Sequence, residues 1–188
     1  MRLFERALRR ASLPVAMSRG YNPRPQISLP APLGVGIRGE NEVLDFELSE
    51  WVRPEEVKQR LSSHLPEGIE LRSLRTVPSK PDRQPRELSY RVPLLKGHPV
   101  TPAALEQVLR AEELIVQRTR KGNARPINVA RFVRDLRLEN GSLHILLAVT
   151  DRGTARPEEV LQALGCEGGR HYLESSIERT HVNLSSSL

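Results

Sequence analysis

Arg19, Tyr21, Asn22 and Arg24 sit close together in segment 18–36, which reads Ser-Arg-Gly-Tyr-Asn-Pro-Arg-Pro-Gln-Ile-Ser-Leu-Pro-Ala-Pro-Leu-Gly-Val-Gly. Two guanidinium groups, an amide and an aromatic ring suit contact with phosphates or nucleobases better than proton transfer. Gln26 and Ser28 extend the set with another amide and a hydroxyl. Tyr21 has two readings: a stacking platform for a base, or a packing residue over the first helix, with packing favoured. A second set follows at Arg120, Lys121 and Arg125, inside Arg118-Thr-Arg-Lys-Gly-Asn-Ala-Arg-Pro-Ile-Asn128. A turn built from Gly, Pro, cations and amides can wrap phosphates while Asn123 or Asn128 reads a base edge, and its plainer reading is a solvated hairpin loop.

Groups suited to catalysis are present but not arranged for it. The chain has no phosphate-cradling Gly loop, dinucleotide fingerprint or nucleophile elbow, and Gly34-Val-Gly36 lacks the helix such a loop needs. His64, His98, His144, His171 and His181 are scattered without metal-ligand spacing, and His144 reads as a half-buried sheet residue. Asp45 and Glu47 share one strand face and resemble a pair for acid-base work, but the alternation makes that face the solvated one. Cys166 is the single cysteine, which excludes an internal disulfide and a multi-cysteine metal or iron–sulfur site.

The elements that must hold these residues follow from periodicity and punctuation. Pro23, Pro25, Pro30 and Pro32 each fix φ and restrict the residue before, so segment 18–36 is expected to stay extended without a partner strand at every residue. Before it, Leu3, Phe4, Ala7, Leu8 and Ala11 recur at helical spacing, with arginines mostly on the other side, predicting a helix over 2–11. That helix has no N-cap residue and places Arg2 at the positive end of its dipole. A strand within 26–36, a strand over 42–48, a helix over 54–64 entered at Pro54 and a strand over 69–77 complete the first half.

The second half repeats this in outline: strand 88–95, helix 102–111, strand 114–119, a polar loop with a helical turn over 120–131, and strands 132–138 and 142–150. The last two join at Asn140-Gly141, a strong hairpin signal. A helix from Pro157 to about Gly165 and a strand over 173–183 follow. The expected fold is therefore α+β, with two ferredoxin-like (βαββαβ-type) halves, the first lacking its initial strand. The expected domains are 1–77 and 88–183, with 78–87 as linker and 184–188 as a disordered tail.

The chain has 188 residues, 38% apolar, and a formal net charge of +6. Residues 1–40 hold seven arginines against Glu5 and Glu40, and residues 117–137 hold six arginines and Lys121 against Asp135, so the remainder is acidic. Two basic zones on an acidic background point to a polyanionic partner such as RNA or DNA, against the alternative of a solvated Arg-rich surface. No apolar run is long enough to span a bilayer, and the amino terminus lacks a signal-peptide core, which reads as a soluble cytoplasmic protein.

The run from Arg6 through Arg9, Arg10, Pro14, Ser18, Gly20, Tyr21, Asn22, Pro23 and Pro25 to Ser28, with Pro32-Leu-Gly34-Val-Gly36 and Glu42-Val-Leu-Asp45, resembles the radical SAM-linked protein family. Arg120-Lys121-Gly, Arg125-Pro126-Ile-Asn128-Val and Arg156-Pro157-Glu are similar to its pattern further on. Members accompany, or are fused behind, cobalamin-binding radical SAM proteins. The resemblance implies a radical SAM protein as partner, which would hold the iron–sulfur cluster, S-adenosylmethionine and cobalamin; this chain would bind none of them.

Family members begin earlier, with a strand and a His-x-Asp segment, so a shortened amino terminus is expected. The leading functional expectation is a non-catalytic accessory module that recognises RNA or a ribonucleoprotein through Arg19, Tyr21, Asn22, Arg24, Arg120, Lys121 and Arg125. A scaffold docking on the radical SAM partner, and an RNA-modifying enzyme with a site completed by missing amino-terminal residues, are the alternatives.

Overall fold

A computed structural model describes residues 1–77, 83–120, 122–166, 173 and 176–185, with Arg120 described by its backbone alone. In chain order the elements are α1 (Arg2–Arg10), β1 (Ile27–Ser28), β2 (Arg38–Gly39), β3 (Asp45–Phe46), α2 (Pro54–Ser62), β4 (Pro85–Pro93), α3 (Pro102–Arg110), β5 (Ile115–Arg120) and β6 (Asn123–Asn128). A single 3-10 turn (Val129–Arg131), β7 (Val133–Glu139), β8 (Ser142–Ala148), α4 (Pro157–Ala163) and β9 (Glu178–Leu184) follow. The fold is α+β, and the chain divides into two compact units. Unit 1 takes Met1–Pro30 and Val43–Arg83; unit 2 takes Ala31–Glu42 and the chain from Gln84.

Unit 1 is built on two short helices. The apolar side of α1 buries Ala7 and Leu8, and α2 buries Val57 and Leu61; Ala11 and Leu13 complete this core. Pro54 at the first position of α2, with Glu55 and Glu56 in its first turn, starts that helix where a missing N–H and negative charge are favourable. The partner strands are minimal: β1 and β3 pair antiparallel through Ile27 with Phe46 and Ser28 with Asp45. The strands expected over 26–36 and 42–48 thus shrink to two residues each, and residues 69–77 form no strand at all. Leu71 and Leu74 still pack on the core, which explains the apolar spacing that suggested one.

Unit 2 is a mixed five-stranded sheet in the order β2-β9-β4-β8-β7, parallel only between β2 and β9. Leu88, Tyr90 and Val92 of β4 alternate inward with Leu143, Ile145 and Leu147 of β8, and Leu105 and Val108 of α3 and Val160 and Leu161 of α4 share their core. The β7–β8 turn has φ of 50° at Asn140 and 71° at Gly141, the two positive values a tight hairpin turn needs. Thr101 caps α3 by accepting from the Ala104 N–H at 3.2 Å.

The segment over 120–131, expected as a polar loop with a helical turn, instead holds the second strand of a hairpin, β6, while the helical turn is present as the 3-10 turn Val129–Arg131. β5 and β6 pair antiparallel from Ile115 with Asn128 to Arg120 with Asn123. Gly122, at φ 80°, supplies the positive φ that so tight a closure demands. The last strand begins at Glu178 rather than 173. Residues 78–82 of the expected linker and 186–188 of the expected tail lie outside the described residues.

Candidate functional site

The loop carrying the first residue set is a closed turn. Met17 bridges Pro25, the Ser18 N–H donates to the Arg24 carbonyl at 2.7 Å, and the Arg24 N–H donates to Ser18 Oγ at 2.9 Å. Below this clasp the Gln26 N–H donates to the Ala16 carbonyl at 2.8 Å and the Ala16 N–H to the Glu47 carbonyl at 2.8 Å, tying the loop to the stretch around β3. Segment 18–36 is therefore not a free-standing extended run. Its first part is a hairpin-like loop of unit 1, and its residues from Ala31 belong to unit 2.

Arg19, Tyr21, Asn22 and Arg24 are brought together on the exposed tip. Tyr21 is 100% exposed, so the favoured reading of it as a packing residue over α1 is wrong. A fully solvated ring held by a hydrogen-bonded clasp offers both faces for stacking at little additional loss of backbone freedom. Arg19 and Arg24 have no carboxylate partner among the described residues, so their charge is available to an anion. Gln26, by contrast, is half-buried and turns its Nε2 to the Met17 carbonyl at 3.4 Å.

The second set sits on the β5–β6 hairpin of unit 2. Arg118 and Arg125 face each other across it, yet they differ in kind. Arg118 donates from Nε and Nη2 to the two carboxylate oxygens of Glu159 at 2.6 and 2.7 Å, and from Nη2 to the Thr154 carbonyl at 2.8 Å. Its hydrogen bonds to Glu159 hold its pKa above the ordinary arginine value. That group anchors the hairpin to the start of α4. Arg125 is exposed and has no ion pair among the described residues.

Asn128, a candidate reader of a base edge, is already occupied. Its Oδ1 accepts from the Leu114 and Ala130 N–H groups at 2.9 and 3.2 Å, and its Nδ2 donates to the Glu112 carbonyl at 3.1 Å. Asn123 stays exposed, opposite Arg120 at the hairpin end. The Arg120 side chain and Lys121 lie outside the described residues.

Other groups that could do chemistry turn out to hold structure. Asp45 is not on a solvated face: its side chain is 19% exposed and accepts from Arg83 Nη1 at 3.0 Å, inside unit 1. His64 Nδ1 lies 2.8 Å from the Arg60 carbonyl and His181 Nδ1 3.3 Å from Asn41 Nδ2. His144 is half-buried on β8, as its position in the alternation predicts. His171 lies outside the described residues. Cys166 is buried, and burial pushes its thiol pKa up, away from the reactive thiolate. Among the described residues no cluster of three potential metal ligands occurs, and no helix is long and apolar enough to cross a membrane.

Two further features lie outside the residues expected to make contact, although the α1 arginines belong to the basic zone over 1–40. The outer face of α1 exposes Arg2, Arg6, Arg9 and Arg10, none with an acidic partner among the described residues. Their helical spacing was the available signal. Trp51 is 75% exposed, and nothing in its immediate sequence marks it as other than a core residue.

No curated protein and no solved structure matches this chain. A family model described as "Uncharacterized protein conserved in bacteria (DUF2344)" matches residues 1–157, and the chain belongs to that family.

Proposed function

We propose that this chain is a non-catalytic accessory module of a radical SAM system that recognises an RNA or ribonucleoprotein substrate. The observation that carries the reading is the clasped loop tip, where a fully exposed Tyr21 stands between Arg19 and Arg24, both without carboxylate partners among the described residues. Stacking on Tyr21 and phosphate contact by the arginines are independent contributions that a single-stranded segment satisfies together. Arg125 on the β5–β6 hairpin, with the neighbouring Arg120 and Lys121, forms the second contact set.

The radical SAM partner is inferred from the sequence resemblance alone, and its iron–sulfur, S-adenosylmethionine and cobalamin chemistry belongs to it. A single, buried cysteine supports that division of labour. The antiparallel order β9-β4-β8-β7, with α3 following β4 and α4 following β8, supports reading unit 2 as a ferredoxin-like fold with the β5–β6 hairpin inserted after α3.

The test is a titration of labelled single-stranded RNA at several salt concentrations. Affinity should fall steeply with salt, and Arg19→Ala with Arg24→Ala should reduce both affinity and salt slope. Tyr21→Ala should weaken binding without changing the slope. Absence of RNA affinity even at low salt overturns the reading. If copurification with the radical SAM protein then survives nuclease and is lost in Tyr21→Ala, the tip is a protein-docking site instead.

A further inference from the structure

Trp51 lines a groove of 540 Å³ within unit 1, a volume in the range of small-ligand sites. One wall is the turn after α1, Ser12-Leu13-Pro14; the other is the lead-in to α2, residues 50–53. The walls are fixed to each other. The Ser49 N–H and Oγ both donate to the Pro14 carbonyl, at 2.7 and 3.1 Å. Val52, between Trp51 and Arg53, packs on the unit 1 core. Side chains alternate in extended backbone, so anchoring Val52 inward turns Trp51 and Arg53 outward together.

The groove's charges decide what it can hold. Arg60 is ion-paired with Glu56 one helical turn away, and Arg53 and Glu50 balance each other in formal charge. A neutral groove is a poor cradle for phosphate. A large exposed indole beside an arginine with no carboxylate partner among the described residues is instead a platform for a flat, uncharged π system, with Glu50 and Ser12 as acceptors for ring or amino N–H groups.

We infer that the Trp51 groove is a subsite for an unpaired nucleobase, so that the RNA recognised is single-stranded where it crosses unit 1. This rests on the RNA reading above but on different residues. The base stacks on the indole beside Arg53, and the Ser49–Pro14 clasp keeps the slot open before binding.

Trp51 is the chain's only tryptophan, so its emission reports this groove alone. A short single-stranded oligoadenylate should quench that emission saturably. A ribose-phosphate oligomer of equal length without bases should bind more weakly and leave it unchanged. Trp51→Leu, a replacement at a solvated position, should weaken RNA binding roughly 5- to 100-fold by anisotropy, the range expected for loss of one stacked base. Its affinity for the base-free oligomer should match the unaltered protein's.

RNA binding with unchanged Trp51 emission overturns the subsite and leaves RNA recognition by the Tyr21 tip standing. Failure of RNA to bind at low salt overturns both. Quenching as strong with the base-free oligomer, or with polyglutamate, overturns the subsite in favour of a charge effect or a protein segment.

Discussion

Arg179 shows how much a single residue's surroundings matter in this chain. It is 2% exposed, and its guanidinium is held by the carboxylate of Glu42, the Ala31 carbonyl at 2.5 Å and the Tyr90 side chain. Burial works against its charge, but these partners hold its pKa above the ordinary value. Burial also raises the pKa of Tyr90 above 10.0, against the opposing pull of Arg179. The sign of the consequence is fixed. The folded state favours the neutral phenol, so this contribution is complete below about pH 10 and is lost as pH rises through the raised folded value. Tyr90→Phe should lower stability by about 1 kcal/mol at neutral pH, the worth of one hydrogen bond. That deficit should shrink in urea melts above pH 10; a deficit independent of pH would show that Tyr90 does not titrate against folding. Nothing in the sequence around Arg179 told of this role. Its partners lie 137 and 148 residues away along the chain, beyond the reach of any local charge pattern.

Elements divide the basic residues into those that build and those that remain available. On the β5–β6 hairpin Arg118 and Arg125 are opposite one another and of one type, yet only Arg118 meets Glu159, itself 6% exposed. Arg118→Ala leaves a buried carboxylate unpaired and should lower stability by about 3 kcal/mol. Arg125→Ala removes a solvated side chain and should stay within about 0.5 kcal/mol of the unaltered protein while weakening RNA binding. Urea unfolding and anisotropy on the two variants separate the roles; equal stability loss would make Arg125 structural too. The helices were legible in outline because Pro54, Pro102 and Pro157 each stand at a first helical position. The long strands of unit 2 were legible from alternation and from Asn140-Gly141. The two-residue strands β1 and β3 were not, since a pairing that short leaves no period to read. The hairpin was legible as the plainer reading of 118–128, but its second strand β6, almost all exposed, has no inward alternation to read, and Arg118, polar by type, gives no sign that it meets Glu159 on α4.

At the scale of the whole molecule, the two units differ in how much apolar surface holds them. Unit 1 buries Ala7, Leu8, Ala11, Leu13, Val57 and Leu61, drawn from two nine-residue helices and the turn between α1 and the loop. Unit 2 has a far larger core, shared by five strands and two helices, with β4 and β8 each flanked by neighbours on both sides. Sequence order concealed this partition, because residues 31–42 leave unit 1 to supply β2 and Glu42 to unit 2, and the chain then returns. Hydrophobic stabilisation scales with buried apolar area, and regions with small cores open at lower free energy than the global limit. Native-state hydrogen exchange on the full chain should therefore find the α1 and α2 amides exchanging through a low-energy opening that leaves β4 and β8 protected. Denaturant should lower the β4 and β8 protection with the steeper slope, because their exposure requires the larger core to unfold. Equal protection and equal slopes in α1 and β8 would mean that the units unfold as one, and the small core of unit 1 would then owe its stability to more than its own residues. The expected difference suits recognition: a loop and groove carried on a small, more readily opened unit can adjust to a single strand, while the sheet of unit 2 keeps its fold.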